Sequence, residues 1–184
     1  MTDRYAVIGN PIAHSRSPAI HARFAEATGQ DVVYERLLAP VDGFAQVALR
    51  FRDEGGRGLN VTLPFKLDAF ALAGLRSARA EAAGAVNLLA FDGDRIYGDN
   101  TDGAGLVRDI EVRLALPLAG RSVMLLGAGG AARGAIRPLL DAGASRVAIA
   151  NRSAHRAREL AAGVGDARVV GGGFDEIDAM LGQG

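Results

Sequence analysis

Residues 122–132 read Ser-Val-Met-Leu-Leu-Gly-Ala-Gly-Gly-Ala-Ala, and this stretch decides the fold of the chain around it. Residues 122–126 predict an apolar strand, and the letters after it fit the pattern G-x-G-x-x-A in front of a helix predicted over 131–142. The first glycine permits a tight turn, the second lets a pyrophosphate approach the backbone, and the small third residue lets helix and strand pack closely. We therefore predict a dinucleotide phosphate site built from Gly127, Ala128, Gly129, Gly130 and Ala131.

The position of this turn between a strand and a helix strengthens the prediction. Glycine-rich turns are common in a chain with 25 glycines, so the pattern alone leaves a turn without a ligand as an alternative. The helix that follows directly adds free backbone N–H groups and the positive end of its dipole, both of which favour phosphate.

The segment after the turn alternates strands, predicted over 146–150 and 167–170, with helices, predicted over 153–162 and 175–181. This alternation is typical of a doubly wound parallel sheet with right-handed crossovers. A complete Rossmann domain usually has six strands, whereas the roughly 60 residues after Ser122 hold about three. We therefore expect an incomplete Rossmann sheet whose first strand is an unpaired apolar edge, and a chain that is weakly stable or inactive by itself.

The end of the second strand of this segment indicates which dinucleotide binds. NAD enzymes usually have an acidic residue there, about 20 residues past the turn, on the ribose 2′-hydroxyl. Here the chain has Asn151, Arg152 and Ser153, with Arg156 one helical turn further on. A guanidinium pairs with a 2′-phosphate through its planar fork, whereas a carboxylate repels it. We therefore predict NADP; the alternative is that Arg152, Arg156 and Arg158 only form a solvated helix face.

The first half of the chain predicts a second α/β domain. Its strands are predicted over 5–9, 32–38, 58–62, 85–91 and 95–97, and its helices over 18–28, 42–54, 66–83 and 101–116. Asp92-Gly93 is a hairpin signal between the last two strands. Ser17 is the predicted N-cap of the first helix, with Pro18 at its first position and Gly29 at its end.

Composition excludes several other classes of protein. Lys and Arg number 21 and Asp and Glu number 21, so the basic excess of nucleic-acid binders is missing. The chain has no cysteine, which excludes disulfides, thiolate zinc sites and thiol catalysis. No apolar run approaches the ~18–20 residues that cross a bilayer, and no signal peptide is evident, so we expect a cytoplasmic protein without membrane contact. The histidines are scattered, and no metal site is expected.

Polar residues are concentrated beside strand ends in three places. They are 9–18 (Gly-Asn-Pro-Ile-Ala-His-Ser-Arg-Ser-Pro), 60–66 (Asn-Val-Thr-Leu-Pro-Phe-Lys), and 84–87 (Gly-Ala-Val-Asn) with 98–103 (Gly-Asp-Asn-Thr-Asp-Gly). In this order before the glycine turn and Asn-Arg-Ser, they resemble the shikimate dehydrogenase family over residues 5–156. The resemblance implies a substrate-binding and catalytic domain over 1–103, a linking helix and loop over 104–120, and the first half of an NADP-binding domain over 121–184.

The activity that this resemblance implies is reduction of 3-dehydroshikimate to shikimate with NADPH. Ser15 and Ser17 resemble the family's pair that holds the substrate carboxylate, and short hydroxyls beside a helix N-terminus suit an anion. A simple N-cap is the other interpretation of Ser17. The family's ring-hydroxyl ligands are matched by four polar residues, which would otherwise be ordinary strand-end side chains: Asn60, Thr62, Asn87 and Asp102.

The catalytic hypothesis rests on Lys66 and Asp102. Hydride transfer to a ketone leaves an alkoxide, which a cation stabilises and a proton donor neutralises. Lys66 follows a strand–proline turn, so we expect it to project into the cleft rather than to lie along a helix. Asp102 would orient Lys66 and favour its charged form, whereas burial would favour the neutral amine. Lys66 is thus the predicted general acid in reduction and base in oxidation; plain surface charges are the alternative.

Several segments of the family are missing from these 184 residues. They are the Asn-Ala-Thr segment after the fourth strand, a tyrosine-containing segment near the nicotinamide, a later glutamine that contacts substrate, and the final helices. A quinate/shikimate dehydrogenase is the nearest alternative, although NAD-using relatives tend to have an acid where Asn151-Arg152 stands. A non-catalytic nucleotide-binding module is a further alternative, and the partner expected in every case is a small molecule bound by a monomer or homodimer.

Overall fold

The computed structural model describes residues 2–181, which form two compact units. The first unit comprises the chain up to Glu81 together with Ala85–Asn100. The second comprises Ala82–Gly84 together with the chain from Thr101 onward. Met1 and residues 182–184, with which the two predicted domains begin and end, lie outside the described residues.

The first unit is built on a six-stranded mixed sheet. Its strands are β1 (Asp3–Gly9), β2 (Val32–Leu38), β3 (Gly56–Val61), β4 (Leu75–Arg76), β5 (Leu88–Asp92) and β6 (Arg95–Asp99). Their order across the sheet is β2-β1-β3-β5-β6-β4. Strand β5 runs antiparallel to both of its neighbours and the other pairs are parallel, so the hairpin predicted at Asp92-Gly93 is confirmed.

The apolar core of this unit lies on one face of the sheet. The helices of the unit are α1 (Ser17–Thr28), α2 (Phe44–Asp53), α3 (Lys66–Leu72) and α4 (Ala78–Ala83). Ile8 and Leu59 from the strands are buried against Phe44, Phe51 and Phe65. Side chains alternate along a strand, so Tyr34 and Arg36 of β2 face away from this core, and α1 covers that opposite face.

Two predictions for this unit differ most from the structure, while the other predicted elements differ by at most two residues at an end. The helix predicted over 66–83 is wrong as one element, because α3 ends at Leu72 and β4 pairs with β6 before α4 begins. Pairing in the sheet overrides the helical spacing of the sequence there. The strand predicted over 85–91 begins only at Leu88.

The second unit is a three-stranded parallel sheet with helices on both faces. Its strands are β7 (Ser122–Leu126), β8 (Arg146–Ala150) and β9 (Val169–Gly172), in the order β7-β8-β9. Its helices are α5 (Asp102–Arg108), α6 (Gly130–Asp141), α7 (Ala154–Val164) and α8 (Ile177–Leu181). This arrangement confirms the predicted start of a doubly wound Rossmann sheet.

Strand β8 is the centre of the second core. Val147 and Ile149 are fully buried against α6 and α7 on one face, while Ala148 and Ala150 contact Met180 of α8 on the other. Within residues 2–181, β7 pairs only with β8, and Leu126 at its end is 73% exposed. The predicted apolar edge at the first strand is therefore confirmed for the described chain.

Helix α5 begins the second unit and packs against α6. A Cβ atom added to Gly103 would lie 2.1 Å from the carbonyl oxygen of Gly134, so only glycine permits this approach. The helix predicted over 101–116 is too long: α5 passes into a π-helical turn, Asp109–Arg113, and regular structure then stops until β7.

Candidate active site

One edge of the first sheet collects several of the predicted substrate ligands. Strands β3 and β6 end at this edge and the antiparallel β5 begins there, because Asn60 and Asp99 both pair in register with Leu88. Asn87 directly precedes Leu88, so it lies between the ends of β3 and β6. Thr62 lies one residue beyond β3, at the same edge.

Backbone hydrogen bonds fix Asn87 and Thr62 at these positions. The carbonyl oxygen of Asn87 accepts from the N–H of Val61 at 2.8 Å, and its own N–H donates to the carbonyl of Asp99 at 2.9 Å. The N–H of Thr62 donates to the carbonyl of Ile8 at 3.0 Å. The Asn87 side chain is buried, with 8% of the residue exposed, so its amide is held in the protein rather than in bulk water.

The loop after β1 carries the two predicted carboxylate ligands. The hydroxyl of Ser15 donates to that of Ser17 at 3.2 Å, and the N–H of Ser17 donates to Oγ of Ser15 at 3.3 Å. Ser17 is the first residue of α1, and the N-cap position belongs to Arg16, without a side-chain cap bond. The prediction that Ser17 is the N-cap is therefore wrong, since its hydroxyl bonds to Ser15 and not to the helix backbone.

Lys66 is half-buried at the first position of α3. The helix predicted to begin at residue 66 does begin there, and Lys66 follows the Leu63–Pro64 turn as predicted. That its side chain projects into a cleft stays a prediction. Its carbonyl oxygen accepts from the N–H of Val86 at 2.9 Å, which ties the start of α3 to the segment that carries Asn87. Lys66 is also the only lysine among the 21 Lys and Arg residues of the chain. An arginine does not give up its proton in a protein, whereas the ammonium of a lysine can, so Lys66 differs in this respect from the 20 arginines of the chain.

Asp102 belongs to the second unit. It is the first residue of α5, half-buried, with Thr101 at the N-cap position. The two residues of the catalytic hypothesis therefore belong to different units of the described chain.

Asp99, which the sequence did not single out, ends β6 with only 7% of its surface exposed. It accepts hydrogen bonds from both N–H groups of the Arg79 fork, from the Ser77 hydroxyl and from the backbone N–H of Asn100. The Arg79 hydrogen bond is the largest cause that lowers the pKa of Asp99 to about 2. The adjacent Asn100 donates its side-chain amide to the carbonyl of Ala85 at 3.0 Å. These bonds hold the end of β6 rigidly beside Asn87.

Tyr34 and Arg36 on β2 are two further residues that the sequence did not single out. The Tyr34 hydroxyl donates to Oδ1 of Asn60 at 2.6 Å, and the Arg36 guanidinium donates twice to the carbonyl oxygen of Ser15, at 2.8 and 2.5 Å. Their alternation along a predicted strand is the only local signal that they share a face.

The glycine turn of the second unit joins β7 to α6. Gly127 has φ +112°, which favours glycine, and its N–H donates to the carbonyl of Ala150 at 2.7 Å. A Cβ added to Gly129 would meet nothing within 4 Å, so the backbone there is open to a ligand. Gly130 begins α6, a 12-residue helix, so the N–H groups of a full helix end face this turn. The local structure fits a bound pyrophosphate.

The predicted 2′-phosphate residues follow β8 at the same edge as the turn. The N–H of Asn151 donates to Gly172 at 3.1 Å, and its side-chain amide donates to the carbonyl of Ser153 at 3.0 Å. Ser153 is the N-cap residue of α7, and Arg152 and Arg156 are exposed. Two solvent-facing guanidinium groups beside the end of the second strand fit a phosphate on the ribose.

Residues 2–181 contain no cluster of His, Cys, Asp and Glu that could hold a metal ion. Among the helices of the same residues, none is long and apolar enough to cross a membrane.

Known proteins match both units. Residues 7–89 match the family described as the shikimate dehydrogenase substrate binding domain, and residues 111–183 match that described as shikimate / quinate 5-dehydrogenase. A shikimate dehydrogenase (NADP(+)) from Aromatoleum aromaticum is 64% identical over 160 residues, which are 87% of this chain and 57% of that protein. The chain belongs to the shikimate dehydrogenase family.

Solved structures of similar proteins agree with this family. An Ael1 enzyme from Pseudomonas putida superposes with a TM-score of 0.89 at 48% identity, over 96% of this chain and 65% of that one. Shikimate 5-dehydrogenase from Thermus thermophilus, in complex with NADP(H) and shikimate, has a TM-score of 0.84 at 37% identity, over 92% and 63% of the two chains. The chain therefore spans less than two thirds of the length of these family members.

Proposed function

We propose that this chain supplies the substrate site, the catalytic lysine and the first part of the NADP site of a shikimate dehydrogenase, which reduces 3-dehydroshikimate to shikimate. The observation that carries the proposal is the meeting of Asn60, Thr62 and Asn87 at one sheet edge, tied by a backbone hydrogen bond to the start of α3 at Lys66. A small polyhydroxylated ring needs several fixed amide and hydroxyl groups of this kind in one place.

In this proposal, residues 1–103 bind the substrate. Two hydroxyls 3.2 Å apart, on Ser15 and Ser17, suit the two oxygens of a carboxylate at the start of a 12-residue helix. The ring hydroxyls are bound by side chains that both donate and accept hydrogen bonds, together with one carboxylate, namely Asn60, Thr62, Asn87 and Asp102.

Lys66 acts as the general acid of the reduction. The carbonyl carbon of 3-dehydroshikimate accepts a hydride, and the oxygen that becomes negative takes a proton from the Lys66 ammonium. In the oxidation of shikimate the neutral amine of Lys66 takes the hydroxyl proton as the hydride leaves the carbon. The family resemblance assigns to Asp102 the roles of orienting Lys66 and of accepting a hydrogen bond from the substrate.

NADPH supplies the hydride when it is bound, and residues 121–184 hold part of it. The turn formed by Gly127, Ala128, Gly129, Gly130 and Ala131 would hold the pyrophosphate. The 2′-phosphate would be bound by Asn151, Arg152, Ser153 and Arg156, and the charge of the two arginines would distinguish NADP from NAD.

The experiment that tests this function is shikimate oxidation with NADP⁺, followed by the absorbance of NADPH, on the chain and on its Lys66→Ala and Lys66→Arg variants. We expect both variants to lose activity by about 10²-fold or more, because arginine keeps the charge but does not exchange the proton. Arg95→Ala is the matched control, since it removes an exposed cation at the opposite end of β6. If the wild-type chain oxidises shikimate, a Lys66→Ala variant of equal activity would exclude the proposed catalytic role.

The same assay separates the nearest related activity. The family description of the second unit names quinate beside shikimate. Faster oxidation of quinate than of shikimate, or faster reaction with NAD⁺ than with NADP⁺, would assign the chain to that branch. Calorimetric titration with shikimate and with NADP⁺ completes the experiment, because binding without turnover would support the binding residues and contradict the proposed catalysis by this chain.

A further inference from the structure

Strand β2 provides none of the predicted substrate ligands, yet its side chains Tyr34 and Arg36 hydrogen-bond to two residues that are predicted ligands. Tyr34 and Arg36 alternate on the face of the sheet that lies away from the main core. Tyr34 bonds to the Asn60 side chain, and Arg36 bonds to the Ser15 backbone. Resting on the proposed function, we infer that Tyr34 and Arg36 are positioning residues, which orient Asn60 at the hydroxyl side of the substrate and Ser15 at its carboxylate side.

The register of the sheet explains how Tyr34 reaches Asn60. Tyr34 pairs with Tyr5 on β1, which pairs with Gly58 on β3, so the three residues form a row across the sheet. Asn60 lies two residues beyond Gly58 on the same face. The Tyr34 phenol therefore reaches diagonally across β1 and meets the Asn60 amide on β3.

The surroundings of Tyr34 hold its ring in this orientation. The imidazole of His21 on α1 stacks on the Tyr34 ring, with the ring centres 4.0 Å apart and the planes 3° from parallel. Both side chains line an apolar groove of about 460 Å³ that also includes Phe24 and Leu88. Burial in this groove raises the pKa of Tyr34 and lowers that of His21, so at neutral pH the phenol is protonated and donates while the imidazole is uncharged.

The hydrogen bond from Tyr34 decides which end of the Asn60 amide faces a ligand. A carboxamide has one oxygen that accepts and one NH₂ group that donates. Its oxygen is held by Tyr34 at 2.6 Å, and within residues 2–181 its NH₂ group has no hydrogen bond. Asn60 therefore offers its NH₂ group as a hydrogen-bond donor. This group suits a substrate oxygen that accepts a hydrogen bond.

Arg36 acts on the other side of the site. Two N–H groups of its guanidinium donate hydrogen bonds to the carbonyl oxygen of Ser15, which fixes the position and direction of that backbone carbonyl. The backbone position of Ser15 in turn sets where its hydroxyl meets the hydroxyl of Ser17. The same guanidinium places a positive charge beside the proposed carboxylate site, which favours an anion further.

The first test is binding of shikimate to the full chain, measured by calorimetry for Tyr34→Phe and its matched control Tyr5→Phe. Tyr5 pairs with Tyr34 in register and lines the same groove, but its hydroxyl has no side-chain hydrogen bond among the described residues. We expect Tyr34→Phe to weaken binding about five- to tenfold and Tyr5→Phe to leave it within about twofold. Equal affinities for the two variants would overturn the role of Tyr34.

A double-mutant cycle distinguishes positioning from general structural support. In an Asn60→Ala background, Tyr34→Phe should have no further effect on shikimate affinity, because the side chain that it orients is gone.

For Arg36, we expect Arg36→Gln to weaken binding of shikimate about tenfold and Arg36→Lys to weaken it less, while binding of the uncharged methyl ester of shikimate changes little. Additive effects of Tyr34→Phe and Asn60→Ala, or equal losses for the acid and the ester, would contradict the inference.

A measurement without substrate separates this inference from the proposed function. The side-chain NH₂ of Asn60 gives its own pair of amide NMR signals, and Tyr34→Phe should shift them and speed their exchange with water, whereas Tyr5→Phe should not. If the wild-type chain failed to bind shikimate, the proposed function would fail, and the Asn60 signals would still decide whether Tyr34 orients that amide. Unchanged Asn60 signals in Tyr34→Phe would exclude it.

Discussion

At the scale of single residues, Asp99 shows how a charge is held inside the first unit. Arg79, Ser77 and the backbone of Asn100 all donate to a carboxylate that is 7% exposed. These bonds lower its pKa from 3.8 to about 2. A carboxyl with a lower pKa in the folded chain binds fewer protons there than in the unfolded chain. Its stabilising contribution is therefore complete above about pH 4 and is lost as the pH falls through about 2.

We expect Asp99→Asn to lower the free energy of unfolding by about 2 kcal/mol at pH 7. The loss relative to wild type should shrink between pH 4 and 2, because the wild-type carboxylate becomes protonated in that range. Urea unfolding at a series of pH values measures both effects. Asp94→Asn, at an exposed position in the β5–β6 turn, is the control for charge alone. A constant difference between wild type and Asp99→Asn down to pH 2 would contradict this account.

The residues of the candidate site differ in how far sequence alone could identify them. The sequence predicts Asn60, Thr62, Lys66 and Asn87 as candidates because each stands in a short motif beside a strand end. Tyr34 and Arg36 were not found, because their partners lie 26 and 21 positions away along the chain and are brought near only by the sheet register. Asp99 lies within the motif at 98–103, but its hydrogen bond from Arg79 could not be predicted, because Arg79 lies on α4, which the sequence predicts as part of one long helix over 66–83.

At the scale of elements, the contact between α5 and α6 depends on one glycine. A Cβ at Gly103 would lie 2.1 Å from the Gly134 carbonyl oxygen and 2.7 Å from Cγ of Pro138. Backbone cannot yield as a flexible side chain does, so the two helices would have to separate.

We expect Gly103→Ala to destabilise the second unit by about 1–3 kcal/mol. Gly105→Ala is the matched control in the same helix, because a Cβ there meets nothing within 4 Å. It should be neutral or stabilising by roughly 0.5–1 kcal/mol through helix propensity. Thermal unfolding of the two variants gives the comparison, and a Gly103→Ala chain as stable as Gly105→Ala would show that the helices adapt.

Prediction of the elements failed where a short pairing interrupts a helical pattern. Residues 66–83 have the apolar spacing of one long helix, but Leu75 and Arg76 pair with Tyr97 and Gly98. A two-residue strand leaves no periodicity to detect, since at least four residues are needed to see alternation. The glycine turn, β7 and β8, in contrast, follow from strong local patterns and have the predicted bounds, whereas β9 lies two residues later than predicted.

At the scale of the whole molecule, the two units have cores of different construction. The first rests on six strands, and its core includes Phe44, Phe51 and Phe65. The second rests on three strands, and within the described residues β7 leaves one side without a neighbour. A sheet of three strands with an open edge is expected to have a lower local free energy of opening than the six-stranded sheet.

We expect native-state hydrogen exchange in rising urea to open the second unit first. Amides of Val147 and Ile149 in β8 should exchange at lower urea than those of Leu59 in β3 and Leu89 in β5, although all four residues are buried. One common opening free energy for both sets would mean that the chain unfolds as a single cooperative body.

Because the chain has a single lysine, limited proteolysis can report local opening at the proposed catalytic residue. A lysine-specific endoprotease has one side chain to recognise in the whole chain, and it is the half-buried first residue of α3. A protease needs several residues of extended backbone, so the peptide bond after Lys66 is cleaved only when the start of α3 unfolds locally. The rate of cleavage after Lys66 therefore reports local opening at the start of α3. A small molecule bound against Lys66 should lower this rate in proportion to its occupancy.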